Sequence, residues 1–140
     1  MQTGESTRSD SKKILIVEDN ELNRKLLTDV LEFRGYTIFG TELGAVALDL
    51  ARQYGPELIL MDIQLPDISG IEAARLLRAD EQTRGIPIIA VSAFIEALGG
   101  SVSSGSFDAH VSKPVNLNEF LPMIDRYMTR HADTATPKET

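Results

Sequence analysis

Asp62 stands at the end of an unbroken apolar run, Leu58–Met61, and Pro66 interrupts the chain shortly afterwards. Such a run suits a parallel strand that is covered on both faces, and in open α/β sheets the reactive groups lie just beyond the carboxyl ends of the strands. The simpler alternative is that Asp62 only caps the turn into the next helix. The pattern makes Asp62 the first candidate for chemistry.

Polar side chains also follow three other predicted strands, at the point where each strand ends. Glu18 and Asp19 follow the first strand, Ser92 follows the fourth and Lys113 follows the last. Because parallel strands bring their carboxyl ends to one rim of the sheet, these side chains and Asp62 should converge there. Each residue also has a simpler explanation. Glu18 and Asp19 could merely stabilise the amino end of the first helix through its dipole, Ser92 could be an ordinary loop residue and Lys113 an ordinary surface lysine.

Three carboxylates at one rim require a compensating charge. At about 5 Å apart they would repel one another by about 3 kcal/mol per pair at an effective dielectric constant near 20. A hard divalent cation with oxygen ligands offsets this repulsion. Mg²⁺ fits because it uses few carboxylates, keeps several waters and completes its octahedron with a phosphate oxygen.

The elements that must position these residues alternate strictly between strand and helix, with short links. This alternation predicts an α/β fold, a doubly wound five-stranded parallel sheet in the order 2-1-3-4-5. In the last helix, Pro122 predicts either a start near Asn118 or a kink. The predicted strands are Lys13–Val17, Tyr36–Phe39, Leu58–Met61, Ile86–Val91 and Ala109–Ser112.

Length and composition favour one domain. The chain has 140 residues, of which 42% are hydrophobic, and the polar segments 1–11 and 131–140 are predicted flexible tails around a domain at 12–130. A net charge of −7 argues against nucleic acid as a partner, and no apolar run is long enough for membrane insertion. We therefore expect a cytoplasmic protein.

Four motifs, in this order and spacing, resemble the receiver domain of two-component response regulators. They are Ile14–Asn20, Leu60–Pro66 followed by Gly70, Val91–Ala93 and Lys113–Pro114. The resemblance runs from about residue 13 to residue 130. Because only the predicted tails lie outside this range, the chain resembles a stand-alone receiver of the CheY or DivK type. The sequences of its first and third strands are most similar to those of the DivK type.

The resemblance implies a phosphorylation switch that depends on Mg²⁺. Asp62 would accept a phosphoryl group from a phosphorylated histidine, and Mg²⁺ would be held by Glu18, Asp19, Asp62 and the backbone carbonyl of Gln64. Chemically this is covalent catalysis by a carboxylate nucleophile, in which positioning and charge neutralisation dominate. Such a protein is not an enzyme in the usual sense, since it catalyses only its own phosphotransfer and autodephosphorylation.

The resemblance also assigns the residues that respond to phosphorylation. Lys113 and Ser92 would bind the acyl phosphate, and Ser92 would move toward it as the switch. His110 stands where the family often has a switching aromatic residue, although a partly buried structural histidine explains it equally well. The proline after Lys113 indicates a fixed peptide, cis or trans, that aims the lysine.

The partners implied by the resemblance are proteins. A histidine kinase or histidine phosphotransfer protein would donate the phosphoryl group, docking on the first helix, where Arg24 and Leu26 are the candidate contact residues. A downstream effector or kinase would receive the signal, and the receiver itself would be a monomer or weak dimer. The alternative function is a phosphorylation-independent adaptor with a receiver fold.

The chain departs from the receiver pattern that it resembles after Ser92. Segment 94–106 carries three glycines and four serines where a receiver has a regular fourth helix. Because each interior glycine costs up to about 1 kcal/mol relative to alanine, we expect this fourth helix to be irregular or short. Our hypothesis is that phosphorylation or a partner orders it; a loop without a role is the alternative.

Three other classes of protein fit the sequence less well. Phosphatases of the haloacid dehalogenase type share a second aspartate two residues after the nucleophile, and this chain has Gln64 at that position. A flavodoxin-like carrier must accept an anionic phosphate after its first strand, where Glu18–Glu21 would repel it. A P-loop hydrolase needs a glycine-rich turn with Lys and Ser or Thr, which the sequence lacks.

Overall fold

The computed structural model describes residues 12–93 and 106–135. Their strands form one parallel sheet in the order β2-β1-β3-β4-β5, which confirms the predicted fold class and strand order. The sequence prediction of β1 and β5 matches both ends of each strand. The strands are β1 Lys13–Val17, β2 Thr37–Thr41, β3 Leu58–Asp62, β4 Ile88–Ser92 and β5 Ala109–Ser112.

The two most buried strands, β3 and β4, lie in the interior of the sheet, and every residue in them is buried. β4 begins just after Pro87, whose carbonyl accepts a hydrogen bond from Ile59 N at 3.0 Å, so the missing proline donor costs the sheet nothing. Val17 of β1 pairs with Met61 of β3, and the next residues along the two strands are Glu18 and Asp62. The sheet register therefore brings these two acids side by side.

Four helices in the described residues cover the two faces of the sheet. On one face, Leu27 and Leu31 of the first helix and Phe120 and Ile124 of the last helix share a core with alternate strand residues. On the other face, alanines and Leu77 of the second and third helices pack against the remaining strand residues. The helices are α1 Glu21–Phe33, α2 Gly44–Tyr54, α3 Gly70–Ala79 and α4 Leu117–Ala135.

Side chains in the loops at the carboxyl ends of the strands also cap the amino ends of the helices that follow. Asn20 Oδ1 accepts a hydrogen bond from Asn23 N at 2.8 Å and caps α1, and Ser69 caps α3 in the same way. The cap of α2 comes from a distant loop, because both carboxylate oxygens of Asp67 accept hydrogen bonds, at 2.8 Å each, from the backbone N–H groups of Gly44 and Ala45. Asp67 therefore ties the loop after β3 to the start of α2.

The last helix begins close to its predicted start, but Pro122 takes a different place in it. It begins at Leu117, one residue before the predicted start, so Pro122 lies in its second turn and not in its first. Pro122 is exposed, so water can satisfy the carbonyl that loses its partner. The predicted domain end at residue 130 falls within this helix, which continues to Ala135.

Two sequence predictions fall wholly or partly outside the described residues. The predicted fourth helix and its ordering on phosphorylation concern a segment of which residues 94–105 are not described. The predicted tail 1–11 is not described, and of the predicted tail 131–140 only residues 131–135 are described, as the end of α4. Within residues 12–93 and 106–135, none of the helices has the length and apolar character needed to cross a membrane.

Candidate functional site

Three carboxylates meet where β1 and β3 end. Oxygen atoms of Glu18, Asp19 and Asp62 all lie within 4.8 Å of one another. Glu18 and Asp62 are buried, with 2% and 4% of their surface exposed, whereas Asp19 faces solvent. The convergence predicted from the strand ends is present, and one side of the cluster is open to water.

The Asp62 carboxylate is held by one group on each oxygen. Its Oδ1 accepts a hydrogen bond from Gln64 N at 3.1 Å, and its Oδ2 lies 3.1 Å from Lys113 Nζ. The loop that follows folds tightly against β3, since Gly70 N donates to the Ile63 carbonyl at 2.7 Å. A β-carbon on Gly70 would lie 2.1 Å from the carbonyl oxygen of Asp62, so only glycine allows this approach.

Glu18 is bonded through all of its polar groups. Its N–H donates to Thr41 O at 3.0 Å, which extends the pairing of β1 with β2 by one residue. Its Oε2 accepts a hydrogen bond from Asn20 N at 3.0 Å, and its Oε1 lies 2.8 Å from Lys113 Nζ. Arg24 Nη1 donates to the Glu18 carbonyl oxygen at 2.6 Å. Glu18 is thus a fixed part of the site.

Lys113 is a cation that contacts both buried acids. Its N–H donates to the carbonyl of Ser92 at 3.0 Å, which ties the ends of β4 and β5 together, and the peptide joining it to Pro114 is cis. Burial lowers the pKa of the Lys113 ammonium, but hydrogen bonds with Glu18 and Asp62 outweigh burial and raise it above its ordinary value. Lys113 is therefore charged at neutral pH.

Burial and the neighbouring charge of Glu18 raise the pKa of Asp62 from 3.8 to about 6, although Lys113 and the Gln64 N–H oppose the rise. With all groups ionised, three carboxylates and one ammonium leave a net charge of −2. All three side chains offer oxygen atoms as metal ligands. The carboxylates of Glu18 and Asp62 are buried and held in place, and that of Asp19 faces water. This set fits a divalent, oxygen-preferring cation that keeps waters, such as Mg²⁺.

The raised pKa predicts a stability cost in the metal-free protein. The folded state holds the Asp62 proton up to about pH 6 and the unfolded state only to about 3.8, so stability should fall as pH rises between these values. We expect Asp62→Asn to raise the free energy of unfolding by about 2 kcal/mol at pH 7.5 and far less at pH 4. Urea unfolding in EDTA at both pH values measures this, and an equal effect at both would contradict it.

The remaining predicted residues occupy distinct places around the cluster. Ser92 is buried at the end of β4. Gln64 is exposed two residues after the end of β3, and its N–H donates to Asp62. His110 is exposed on the edge strand β5, where it pairs with Ala90 of β4, and it lines a 370 Å³ cavity shared with α4. Leu26 is 52% exposed on α1, whereas Arg24 is half-buried and its guanidinium donates to the backbone carbonyl of Glu18.

Sequence reasoning missed two side-chain contacts, only one of which touches the acidic cluster. It took Arg24 for a docking residue without foreseeing its hydrogen bond to Glu18, and it gave Asp67 no role, although Asp67 caps α2. Asp67 and the Gly44 N–H that it accepts from are 23 residues apart, so no local capping pattern in the sequence indicates this contact. The one signal for the Arg24 contact is Gly40 in β2, where a β-carbon would lie 3.3 Å from Arg24 Cδ.

The sequence of the chain is similar to those of known response regulators. The family described as response regulator receiver domain matches residues 14–125. The polar-differentiation response regulator DivK of Brucella ovis is 47% identical over 121 residues, covering 84% of this chain and 97% of that protein.

Two solved structures with bound magnesium share the fold. The receiver domain of the sensor histidine kinase PA1611 from Pseudomonas aeruginosa, with magnesium coordinated in its active site cleft, has a TM-score of 0.78 and 29% identity, covering 85% of this chain and 98% of that one. The response regulator TrrA from Thermotoga maritima, in complex with Mg²⁺-BeF, has a TM-score of 0.75 and 31% identity, covering 83% and 98%. Together with the match of the family over most of the chain, these findings establish that the chain belongs to the response regulator receiver domain family.

Proposed function

We propose that Asp62 accepts a phosphoryl group from a phosphorylated histidine and that the resulting acyl phosphate is the signal. The observation that carries this proposal is a buried carboxylate at a strand end, with a lysine 3.1 Å from one oxygen and two further acids within 4.8 Å. An oxygen of Asp62 would form the new bond to phosphorus while the bond from phosphorus to the histidine nitrogen breaks. The electron pair of that bond stays on the imidazole nitrogen of the donor protein.

Mg²⁺ would be held by Glu18, Asp19, Asp62 and the backbone carbonyl of Gln64. When bound, it supplies positive charge to the phosphoryl oxygens and offsets the repulsion among the acids. The solved TrrA structure, which contains Mg²⁺-BeF, supports the same use of the site here. With Mg²⁺ in place, the raised pKa of Asp62 would fall, which keeps its carboxylate ionised for attack.

Lys113 and Ser92 would bind the phosphoryl oxygens. Lys113 already contacts Asp62 and Glu18, so a phosphoryl group on Asp62 would compete for its ammonium. Ser92 offers a hydroxyl on the adjacent strand end. A shift of Ser92 toward the phosphoryl group, followed by a rotamer change of His110, would carry the signal to the surface near α4.

The phosphodonor, a histidine kinase or histidine phosphotransfer protein, would dock across α1 and the chain after Lys113. A cavity of 350 Å³ lies there, and its walls include Leu26, Leu27 and Val115 as well as Glu18 and Lys113 of the site. An apolar groove that ends at the acids suits a partner side chain reaching toward Asp62. Arg24 and Leu26 are the proposed contact residues, and Leu26 has half of its surface available.

The proposal also includes a downstream effector or kinase that recognises the phosphorylated form, autodephosphorylation that ends the signal, a cytoplasmic location and a monomer or weak dimer. The experiment that tests its centre is incubation with acetyl phosphate, followed by intact-mass spectrometry. We expect phosphorylation with Mg²⁺ and none with EDTA. A wild-type protein that stays unmodified in saturating Mg²⁺ would favour the phosphorylation-independent adaptor.

We expect Leu26→Ala to lower the rate of phosphotransfer from a histidine-phosphorylated protein by about 5- to 10-fold, because truncating a central apolar contact typically costs about 1 kcal/mol or more of binding. Its rate with acetyl phosphate should stay unchanged, since the small donor needs no docking surface. Phe33→Ala is a matched control, because Phe33 is 93% exposed at the carboxyl end of the same helix and does not line this cavity. Equal losses in the two variants would contradict the proposed docking face.

A further inference from the structure

Arg24 makes a contact that the phosphorylation chemistry does not itself require. Its Nη1 donates to the carbonyl oxygen of Glu18 at 2.6 Å, a charge-assisted hydrogen bond. Its aliphatic stem lies over Gly40 of β2, where an added β-carbon would be 3.3 Å from Cδ and 3.6 Å from Cγ of Arg24. The side chain therefore crosses the edge strand and ends on the backbone of the acidic loop.

This hydrogen bond fixes the peptide that joins the two adjacent acids. The peptide group is planar, so holding the Glu18 carbonyl also sets the direction in which the chain enters Asp19. The anchor of Arg24 is itself firm, because its N–H donates to Asn20 O at 2.9 Å in the first turn of α1. Arg24 thus links the carbonyl of Glu18, in the acidic loop, to the first turn of α1.

Asp19 depends on this peptide more than Glu18 does. The Glu18 carboxylate is bound on both oxygens, by Asn20 N and by Lys113. Within residues 12–93 and 106–135, no hydrogen bond or ion pair to a side chain or backbone group holds the exposed Asp19 carboxylate. Its direction therefore follows that of the backbone, and Arg24 bonds the carbonyl of the peptide that leads into Asp19.

We propose that Arg24 is a positioning residue that orients the Glu18–Asp19 peptide and thereby sets the affinity of the acidic cluster for Mg²⁺. The inference rests on the proposed function, because it assumes that this cluster binds Mg²⁺. It gives Arg24 a role that precedes any docking of a partner. Its consequence is an effect on metal binding in the isolated protein.

The sign of that effect separates positioning from simple electrostatics. Removing a positive charge near three carboxylates should strengthen the binding of a cation, if charge alone mattered. Loss of orientation should weaken it, and groups that orient metal ligands typically contribute about 10- to 100-fold in affinity. We therefore expect Arg24→Ala to raise the Mg²⁺ dissociation constant by about 10-fold.

The test is a titration of the isolated, unphosphorylated protein with MgCl₂, measured by calorimetry and by NMR of the backbone amides. In the metal-free spectrum, the Asp19 amide signal should shift or broaden in Arg24→Ala. Arg24→Lys should recover part of the affinity, because its ammonium can donate to the same carbonyl but lacks the planar guanidinium. Arg75→Ala is the matched control, since Arg75 pairs with Glu72 on the surface of α3, away from the cluster.

Gly40→Ala provides a second variant that keeps the guanidinium and every charge. Its methyl group would press on the Arg24 stem, so we expect a smaller loss of Mg²⁺ affinity in the same direction. Unchanged or tighter Mg²⁺ binding in Arg24→Ala and Gly40→Ala would overturn this inference alone. A wild-type protein that binds no Mg²⁺ would overturn the proposed function and this inference with it.

Discussion

Asp62→Asn should abolish the uptake of phosphoryl groups from acetyl phosphate, with a fall in rate of more than about 10³-fold. An amide has no ionised oxygen to attack phosphorus, and the substitution also removes one of the three acids proposed to hold Mg²⁺. The fold should survive, because the oxygen of the introduced amide can still accept a hydrogen bond from Gln64 N or Lys113. Intact-mass spectrometry over a time course in saturating Mg²⁺ measures the rate.

Asp67→Asn is the matched control for this prediction. Asp67 lies in the same loop and is also an aspartate, but its carboxylate caps α2 and takes no part in the acidic cluster. We expect it to be phosphorylated at a rate close to that of the wild type. If Asp62→Asn were still phosphorylated, another side chain would have to be the acceptor, and the proposed function would need a different nucleophile.

The sheet and the acidic cluster could be predicted because both follow from local patterns. Unbroken apolar runs such as Leu58–Met61 favour a buried parallel strand regardless of the rest of the chain. Parallel strands then bring their carboxyl ends to one rim, so a polar residue after each run is placed without knowledge of any contact. The convergence of Glu18, Asp62 and Lys113 follows from that geometry alone.

Individual side-chain contacts could not be predicted in this way. The cap of α2 by Asp67 and the hydrogen bond of Arg24 to Glu18 depend on side-chain directions that no periodic pattern encodes. Helical spacing also includes Leu22 and Leu27 in one apolar pattern, but Leu27 is 5% exposed and Leu22 is 74% exposed. Only the packed structure separates the residues that form the core from those available to a partner.

Gly70→Ala should be the most damaging small substitution near the site. The added β-carbon would lie 2.1 Å from the Asp62 carbonyl oxygen and 2.8 Å from Ile63 Cα, and these are backbone atoms that no rotamer change can move. Alanine at this first position of α3 should gain less than about 1 kcal/mol from helix propensity. Forced displacement of packed backbone costs about 1–3 kcal/mol or more, so the net result is destabilisation by about 2 kcal/mol.

Because the displaced backbone carries Asp62, Gly70→Ala should also weaken Mg²⁺ binding and slow phosphorylation, even in the fraction that remains folded. Urea unfolding gives the stability, and the rate with acetyl phosphate below the unfolding transition gives the second effect. Gly85→Ala is the matched control, since a β-carbon there meets nothing within 4 Å and its φ is not left-handed. We expect it to change the free energy of unfolding by less than about 0.5 kcal/mol. Equal stability and equal rates in the two variants would mean that the loop after β3 can relax without moving Asp62, and the tight turn at Gly70 would then play no part in positioning the nucleophile.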